Sequence, residues 1–426
     1  METQGGEHSN GEQDTASPGS APALLKGAPN NTSRTCDFLP PVNNAPSRVL
    51  QNVPRFTREP RLPRGQGGVQ IHAGRQVTIL PLPRKLAVSY PPTSSGRTEF
   101  ILERRGPKNH LDPNRAYGAF VEEEPDESGA LVSVATVLLT NRECPWRCVF
   151  CDLWKDTLDA TVPPGAIDTQ IHAALAGLPP GRPPRWIKLY NAGSFFDPHA
   201  IPPDDFPLIA ARLARFERVI VESHPKLIGE SALRLRDLLH GRLEVAMGLE
   251  VANASILARL NKGMTIADFA RAAEYLRRSE IDVRAFVLVQ PPFVRPEGAV
   301  EMARRTLDFA QACGAQVCSL LPTRGGNGAL DALAVQGEFT PPRLETLEEV
   351  FDRALKRRRS RVFADLWELE RFSDCPKCFQ ARRNRLARMN RTQKIEPRVA
   401  CTEPASTEPE PSLNDFVPGV GPARNR

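Results

Sequence analysis

The sequence has 426 residues, enough for one large α/β barrel or two ordinary domains, and a mild formal charge of +6. No apolar run is long enough to cross a bilayer, and residues 1–10 lack the basic and apolar regions of a secretory signal. These features predict a cytoplasmic protein with reduced cysteines and no membrane partner, and they argue against a disulfide-stabilised secreted domain.

The two ends of the chain are rich in proline and are predicted to hold little regular structure. We expect residues 1–95 to be mostly disordered, apart from a strand or hairpin within residues 69–82. Residues 96–130 are predicted to form a linker or N-terminal extension, and residues 401–426 a disordered tail.

Regular structure is predicted to begin at residues 131–140, whose nearly continuous apolar character is typical of a strand buried on both faces. Cys144, Cys148 and Cys151 follow in a C-x3-C-x2-C spacing. Three thiolates on one short loop can bind three irons of a [4Fe–4S] cluster and leave the fourth iron open to a small molecule.

Three other interpretations of this trio exist, and the spacing favours the cluster over all of them. A zinc site would normally need a fourth Cys or His, and none lies close by in the sequence. A disulfide network does not suit an odd number of cysteines in a reducing compartment. Three unrelated buried cysteines would have this spacing only by chance.

Segments typical of strands and helices alternate after the cysteines. Further strands are predicted at residues 186–192, 218–223, 243–249, 282–289 and 316–321, and helices at 167–178, 205–216, 230–239, 254–260, 265–278 and 296–313. Repeated βα units predict a parallel sheet of six strands with right-handed crossovers. Periodicity alone does not choose between a partial barrel and an open doubly wound sheet.

Polar residues follow several of these strands, at the edge where an α/β barrel carries its chemistry. Gly193 would let a backbone approach a ligand closely, and Ser194 follows it, although a tight turn needs the same residues. Glu222 and His224 form either a site pair or a surface pair. Glu250, at the end of the next strand, is a candidate for a polar ligand contact.

Two cations in this region have both a structural and a functional interpretation. Lys262 and Gly263 are either a helix C-cap before the N-cap Thr265, or a turn that brings a cation to the site. Arg284 lies within an apolar strand, where a charge is costly unless it is paired. Its partner is either an anion in the site or a structural salt bridge.

Residues 131–342 resemble the radical S-adenosylmethionine (SAM) superfamily. The trio matches C-x3-C-x-aromatic-C, with Phe150 as the aromatic residue. Residues 188–197, 221–225 and 244–250 are similar to the Elongator-catalytic-subunit-like branch, and within it to archaeosine-synthase-subunit-like proteins. One departure is that Ala192-Gly193-Ser194 stands where the family carries a Gly-Gly-Glu-like motif, so the carboxylate is missing.

The resemblance implies a partial (β/α)6 barrel over residues 131–342. It implies a [4Fe–4S] cluster that cleaves SAM reductively to a 5′-deoxyadenosyl radical, with an electron from a reductant such as flavodoxin or ferredoxin. Cys144, Cys148 and Cys151 would be the cluster ligands. The candidates for binding SAM are Gly193, Ser194, Glu222, Glu250 and Arg284.

Residues 343–400 are predicted to form a small helical, basic extension. Its runs at 356–359 and 382–391 can contact phosphates, although a solvated basic helix is the commoner structure. Because the branch that the chain resembles modifies RNA, an RNA or tRNA substrate is favoured.

Cys375 and Cys378 form a second C-x2-C pair, which can supply two of the four ligands of a zinc ion. The other ligands would come from Cys313 and Cys318, from Cys401, or from histidines. A second iron–sulfur cluster and a turn without metal are alternatives. The sequence as a whole predicts a radical SAM enzyme; the alternative is a non-catalytic zinc- or RNA-binding module on a degenerate barrel.

Overall fold

The structure is a computed structural model, and it describes residues 89–401. The hairpin predicted within residues 69–82 and nearly all of the predicted tail lie outside the described residues. Among the helices that are described, none is both long enough and apolar enough to span a bilayer.

Eight strands and ten α-helices form the described part of the chain. The strands are β1 (Gly118–Pro125), β2 (Leu131–Leu138), β3 (Trp186–Tyr190), β4 (Arg218–Ser223), β5 (Arg242–Glu250), β6 (Asp282–Val289), β7 (Val317–Pro322) and β8 (Arg361–Ala364). The helices are α1 (Ser94–Leu102), α2 (Ala166–Ala176), α3 (Phe206–Leu213), α4 (Glu230–Leu238), α5 (Ala254–Arg259), α6 (Ile266–Arg278), α7 (Pro296–Ala312), α8 (Ala329–Val335), α9 (Leu344–Arg357) and α10 (Pro376–Thr392).

The strands form one sheet in the order β1 to β8. Strands β2 to β8 are parallel, and β1 pairs with β2 in the antiparallel sense. At least one helix lies between each pair of consecutive parallel strands, as a parallel connection requires. The expectation of an α/β fold with repeated βα units is confirmed.

Helix α6 illustrates how the sequence sets these elements. Thr265 caps it, since its side chain accepts from the backbone N–H of Asp268 while the Asp268 carboxylate accepts in return from Thr265. Its buried residues are Phe269, Ala272, Ala273 and Leu276, which share one face at helical spacing. That face packs into the continuous apolar core around the sheet.

The sheet curls into a partial barrel. Strands β1 and β6 are five positions apart in the sheet order, which would be roughly 24 Å in a flat sheet. Yet Arg284 Nη2 on β6 lies 2.8 Å from Glu124 Oε2 on β1, a contact that a flat sheet would not allow. The interior contact therefore decides for the partial barrel over the open doubly wound sheet.

A charged layer crosses the barrel interior near the amino ends of the strands; its members are Glu124, Lys188, Arg218, Glu244 and Arg284. Lys188 Nζ lies 2.5 Å from Glu124, and Glu244 lies 2.8 Å from Arg218 and 2.6 Å from Arg284. Burial alone would raise the pKa of Glu124, but Arg284 and Lys188 outweigh it and hold that pKa well below its usual range. The layer is thus a set of mutually neutralised buried charges.

Two segments differ from expectation. The segment predicted as a linker holds α1 and the strand β1, and the sheet continues past residue 342 into β8. In β1 the inward side chains include Glu122 and Glu124, which pair with Lys188. Because those inward residues are charged, β1 lacks the apolar alternation that marks a strand in sequence. Strand β8 has only four residues, too few to show a pattern.

Candidate active site

The three cysteines of the predicted cluster lie on the loop after β2, which we define as the cysteine loop, residues 139–152. Burial raises the pKa of Cys144, Cys148 and Cys151, the last to about 12. The other two thiolates raise the pKa of Cys148 further, while the cation of Lys262 opposes them. The three thiols therefore share one electrostatic environment, and a bound metal would be needed to hold them as thiolates.

The spacing of these sulfurs does not suit a single metal ion. In residues 89–401, the one group of three or more Cys, His, Asp or Glu ligand atoms within 4.8 Å of one another is Cys375, Cys378 and Cys401. Sulfurs around one tetrahedral zinc lie about 3.8 Å apart, as follows from a Zn–S bond of about 2.3 Å. The sulfurs of Cys144, Cys148 and Cys151 form no such close group among residues 89–401, which is compatible with thiolates that each bind a different iron.

Asn327, in the loop after β7, holds the second half of the cysteine loop. Its side-chain amide donates to the carbonyl of Val149 at 2.8 Å and to that of Cys151 at 3.2 Å. The backbone N–H of Val149 donates to the carbonyl of Leu260 at 3.0 Å. The loop is thus fixed by its backbone to two other connections of the barrel.

Asn261 holds the first half of the loop and joins it to helix α1. Its side-chain amide donates to the carbonyl of Arg147 at 2.9 Å and to the hydroxyl of Thr98 at 3.0 Å. Its side-chain oxygen accepts from the hydroxyl of Ser94 at 3.0 Å. Helix α1 therefore buttresses the cysteine loop from outside the region that resembles the family.

Glu143, beside the first cysteine, is the centre of a cluster of cations. Arg105 lies 2.6 Å, Lys108 2.9 Å and Arg147 3.3 Å from its carboxylate. Burial would raise the pKa of Glu143, but the hydrogen bonds from Lys108 and Arg105 lower it. Sequence reasoning missed this cluster because two of its cations come from the segment that was predicted to be a linker.

Gly193 lies against the first cysteine. A Cβ added to Gly193 would lie 3.3 Å from Cys144 Cβ. The neighbouring backbone N–H of Asn191 donates to the carboxylate of Glu222 at 2.5 Å, and the N–H groups of Ala192 and Gly193 also stabilise that carboxylate. Burial nevertheless raises the pKa of Glu222 to about 7. Glu222 thus positions the turn that packs on the cysteine loop.

Ser194 joins the connections after β3 and β4. Its buried hydroxyl lies 2.8 Å from the hydroxyl of Ser223 and accepts from the backbone N–H of His224 at 3.2 Å. The side chain is therefore used in the protein itself, which leaves its backbone as the part that can face a ligand.

Glu250 and Lys262 form a buried ion pair beside the cysteines. Lys262 Nζ lies 2.8 Å from Glu250 Oε1, and the positive charge of Lys262 acts on Cys148 and Cys144. Glu250 has a left-handed backbone, with φ of 64°, which is strained for a residue with a side chain. Lys262 lies beside the cysteines, and the N-cap role of Thr265 that belongs to the other interpretation is present as well.

His224 is buried, and its ring is held by contacts within the protein. Its ring stacks on Trp146 with centroids 3.5 Å apart. Its Nδ1 accepts from the N–H of Lys226 at 3.2 Å, so Nε2 donates to the carbonyl of Lys262 at 3.0 Å. Burial lowers the pKa of His224 to about 3, so the ring is neutral. A Cβ added to Gly263 would lie 2.4 Å from Cδ1 of the Trp146 indole.

Arg284 does not join this group. It is 2% exposed, and Glu124 and Glu244 neutralise it in the charged layer. Of its two predicted partners, the structural salt bridge is the one observed. Of the five residues predicted to bind SAM, the four that lie in the connections around the cysteine loop are Gly193, Ser194, Glu222 and Glu250.

Four buried side chains at this site carry polar atoms without a partner among residues 89–401. They are the whole amide of Asn191, Oε2 of Glu250, and, on the cysteine loop itself, Oγ1 of Thr140 and Oδ1 of Asn141. Buried polar atoms are rarely left unpaired, so these are the atoms that a bound polar molecule would satisfy. Asn191 was missed as a candidate, because an asparagine after a strand is also an ordinary turn residue.

The second cysteine pair lies with Cys401 at the start of α10. Cys313 is the C-cap residue of α7, and Cys318 lies within β7, so neither joins the pair. The basic run of α10 is largely neutralised by ion pairs of Arg382 with Glu348 and of Arg385 with Asp352. This arrangement weakens the case for a phosphate-binding face on that helix.

The chain is similar in sequence to proteins of two archaea. No protein-family model matches the chain. It is 26% identical over 238 residues to the archaeosine synthase subunit beta of Methanosarcina acetivorans, covering 53% of this chain and 68% of that protein. It is 29% identical over 192 residues to the archaeosine synthase subunit beta of Thermococcus kodakarensis, covering 43% of this chain and 59% of that protein.

Among solved structures, the chain is similar to methylornithine synthase. The superposed part covers 76% of this chain and 82% of the chain of that enzyme, with 12% identity and a TM-score of 0.43. The two sequence relatives agree with the resemblance to archaeosine-synthase-subunit-like proteins that the motifs of residues 188–197, 221–225 and 244–250 indicate.

Proposed function

We propose that this chain belongs to the Elongator-subunit-like branch of the radical SAM superfamily and is an enzyme that binds a [4Fe–4S] cluster through Cys144, Cys148 and Cys151. The observation that carries the proposal is the position of the three thiols. They lie on one loop at the carboxyl end of β2, and side chains from two other connections hold its backbone. In an α/β barrel this is the end that carries the chemistry.

We further propose that SAM binds between this loop and the ends of β3 and β5. When bound, the cluster supplies the electron that cleaves SAM reductively to a 5′-deoxyadenosyl radical. Gly193 lets the turn after β3 pack directly against the first cysteine, since an added Cβ would lie 3.3 Å from Cys144 Cβ. The unpaired atoms of Asn191 and Glu250 Oε2 offer donors and an acceptor to the amino acid part of SAM.

Lys262 and Glu222 would act on this site through charge and position. Lys262 is buried next to the thiolates, where its charge offsets part of their negative charge. Glu222 holds the Asn191–Gly193 turn through backbone N–H groups. The proposed external reductant is a one-electron donor of the flavodoxin or ferredoxin type.

The proposed substrate is an RNA or tRNA. What supports it is the similarity to two proteins named archaeosine synthase subunit beta, together with the family branch. The basic run of α10 does not support it, because its ion pairs use those charges. Anaerobic incubation with labelled SAM and total RNA, followed by nucleoside analysis, tests it; unaltered nucleosides from a protein that cleaves SAM would reject RNA as the substrate.

Substitution of one cluster cysteine tests the cofactor assignment. The protein purified without oxygen should be brown, contain iron and sulfide, and form 5′-deoxyadenosine from SAM and a reductant. Cys148→Ala should lose both the colour and SAM cleavage, because it removes one of the three iron ligands.

Cys313→Ser is the matched control, since Cys313 is a partly buried cysteine at the end of α7. It should keep colour and cleavage. Retained 5′-deoxyadenosine formation in Cys148→Ala would reject the assignment. Zinc without iron or sulfide in protein never exposed to oxygen would favour the non-catalytic zinc- or RNA-binding module.

A further inference from the structure

We propose that Cys375, Cys378 and Cys401 bind one Zn²⁺ ion, at a site separate from the cysteine loop. The sequence pairs Cys375 with Cys378 and leaves the remaining ligands open. In the structure Cys401 is the third member, with its Sγ 3.5 Å from Cys375 Sγ. All three sulfurs lie within 4.8 Å of one another, and a water molecule would fill the fourth tetrahedral position of the ion.

This spacing selects a single ion over an iron–sulfur cluster. Three thiolates on one tetrahedral zinc are about 3.8 Å apart, which the 3.5 Å between Cys375 and Cys401 approaches. A cluster would need each thiolate at a different iron, and therefore a wider spread of sulfurs. Thiolate ligands also favour zinc over the hard cations Mg²⁺ and Ca²⁺.

The start of α10 prepares Cys375 to be a ligand. Cys375 is the N-cap residue, Pro376 begins the helix, and Cys378 lies in its first turn. The backbone N–H groups of Cys378 and Lys377 lie beside the sulfur of Cys375. A thiolate at a helix N-terminus is favoured by the free N–H groups there and by the helix dipole.

A disulfide does not account for the third sulfur. A bond between Cys375 and Cys401 would need a separation of about 2.05 Å, and it would use two of the three thiols. Cys378 would remain, with its Sγ 3.8 Å from the carbonyl of Cys375 and within 4.8 Å of the other two sulfurs. Three convergent sulfurs are the arrangement of a metal site.

The ion would close a loop around α10. After the helix the chain turns back, and Arg385 donates to the carbonyls of Glu396 and Pro397 at 3.1 and 3.0 Å. Cys401 then meets Cys375 at the start of the helix. One ion would thus join both ends of the segment from Cys375 to Cys401.

The helix that the ion fixes covers the free edge of β8. The Asn390 side chain exchanges two 2.8 Å hydrogen bonds with the backbone of Ala364. The Gln393 side chain does the same with the backbone of Val362, at 2.8 and 2.9 Å. The proposed zinc therefore has a structural role, and it is independent of the cluster chemistry proposed above.

Metal analysis of the full chain tests the proposal. Protein purified without oxygen and with a thiol reductant should contain roughly one zinc per chain in addition to its iron. Cys375→Ser, Cys378→Ser and Cys401→Ser should each lose the zinc and keep the iron. Cys313→Ser is the matched control and should keep both metals.

Cobalt substitution provides a measurement that does not depend on a variant folding. Co²⁺ exchanged into the wild-type site should give the intense near-ultraviolet charge-transfer absorption of a three-thiolate site, and excess Zn²⁺ should abolish it. Absence of that absorption would overturn the proposal.

Two further results would also overturn it. They are zinc retained in Cys401→Ser, and a Cys375–Cys401 disulfide found by mass spectrometry in protein kept reduced. Failure of the cluster assignment can be told apart from failure of the zinc proposal. It would appear as a lack of iron in the wild-type protein, whatever its zinc content.

Discussion

Glu222 shows how one buried carboxyl group can make the stability of this site depend on pH. Burial raises its pKa from 4.5 to about 7, although three backbone N–H groups stabilise its charged form. Between these two pH values the folded protein keeps the proton that the unfolded chain releases. The contribution of Glu222 to stability is therefore present at low pH and is lost as the pH rises through about 7.

Glu222→Gln should remove this dependence, because the amide oxygen can still accept from Asn191 without a charge. The free energy of unfolding of the wild type, relative to the variant, should fall by about 2 kcal/mol between pH 5 and pH 8. Denaturant unfolding at the two pH values measures it. Glu230→Gln, at an exposed position of α4, is the control. An equal wild-type-to-variant difference at both pH values would contradict the prediction.

Contacts between residues far apart in the chain explain which parts of the site could not be predicted from the sequence. The cysteines were predictable because their spacing is local and follows an apolar strand. Asn261 and Asn327 were not, because each bonds to backbone groups more than 100 residues away in the chain. Arg284 was recognised as needing a partner, but its carboxylates lie 160 and 40 residues away. No local pattern specifies such contacts.

At the scale of elements, the cysteine loop owes its shape to its neighbours. It contains little regular structure of its own, and its backbone carbonyls are held by Asn261 and Asn327. Helix α1, which precedes the family-like region, meets the loop through Asn261. An element outside residues 131–342, the region that resembles the family, thus helps to define the geometry of the proposed cluster site.

Asn327→Ala should loosen the loop, because it leaves the buried carbonyls of Val149 and Cys151 without this donor. We expect a loss of about 2 kcal/mol in stability and a lower iron content per chain. Thermal unfolding and iron analysis of anaerobic protein measure the two effects. Asn114→Ala, at an exposed position, should change neither. If Asn327→Ala kept full stability and iron content, the role assigned to this side chain would be wrong.

The predicted helices and strands agree with the structure within about three residues from β2 to β7, because those elements have apolar periodicity and clear ends. Strand β1 escaped prediction because its inward residues Glu122 and Glu124 are charged. The choice of a barrel over an open sheet needed the contact between Glu124 and Arg284, which only the folded chain brings together.

At the scale of the whole molecule, the charged layer ties together strands that are far apart in the sheet. Arg284 contacts β1 and β5 at once, through Glu124 and Glu244. Breaking such a network by removing one partner leaves buried charges without compensation, which is far costlier than losing a surface pair.

Arg284→Met should therefore destabilise the protein by about 3–5 kcal/mol and leave the SAM affinity of the folded fraction unchanged. The matched control is Arg278→Met, since Arg278 is 77% exposed and pairs with Glu274 on the same helix. It should cost less than about 0.5 kcal/mol. Chemical unfolding and equilibrium SAM binding separate the effects. If Arg284→Met instead weakened SAM binding without changing stability, Arg284 would have to be assigned to the SAM-binding site.

The amide side chains of Asn390 and Gln393 have a consequence for how the protein behaves at high concentration. They occupy backbone groups of Val362 and Ala364 that would otherwise be available to a strand of another molecule. Fraying of α10 would uncover those groups, and neighbouring chains could then pair main chain to main chain. Aggregation of this protein is therefore expected to start with the loosening of its last described helix, well before the barrel itself unfolds.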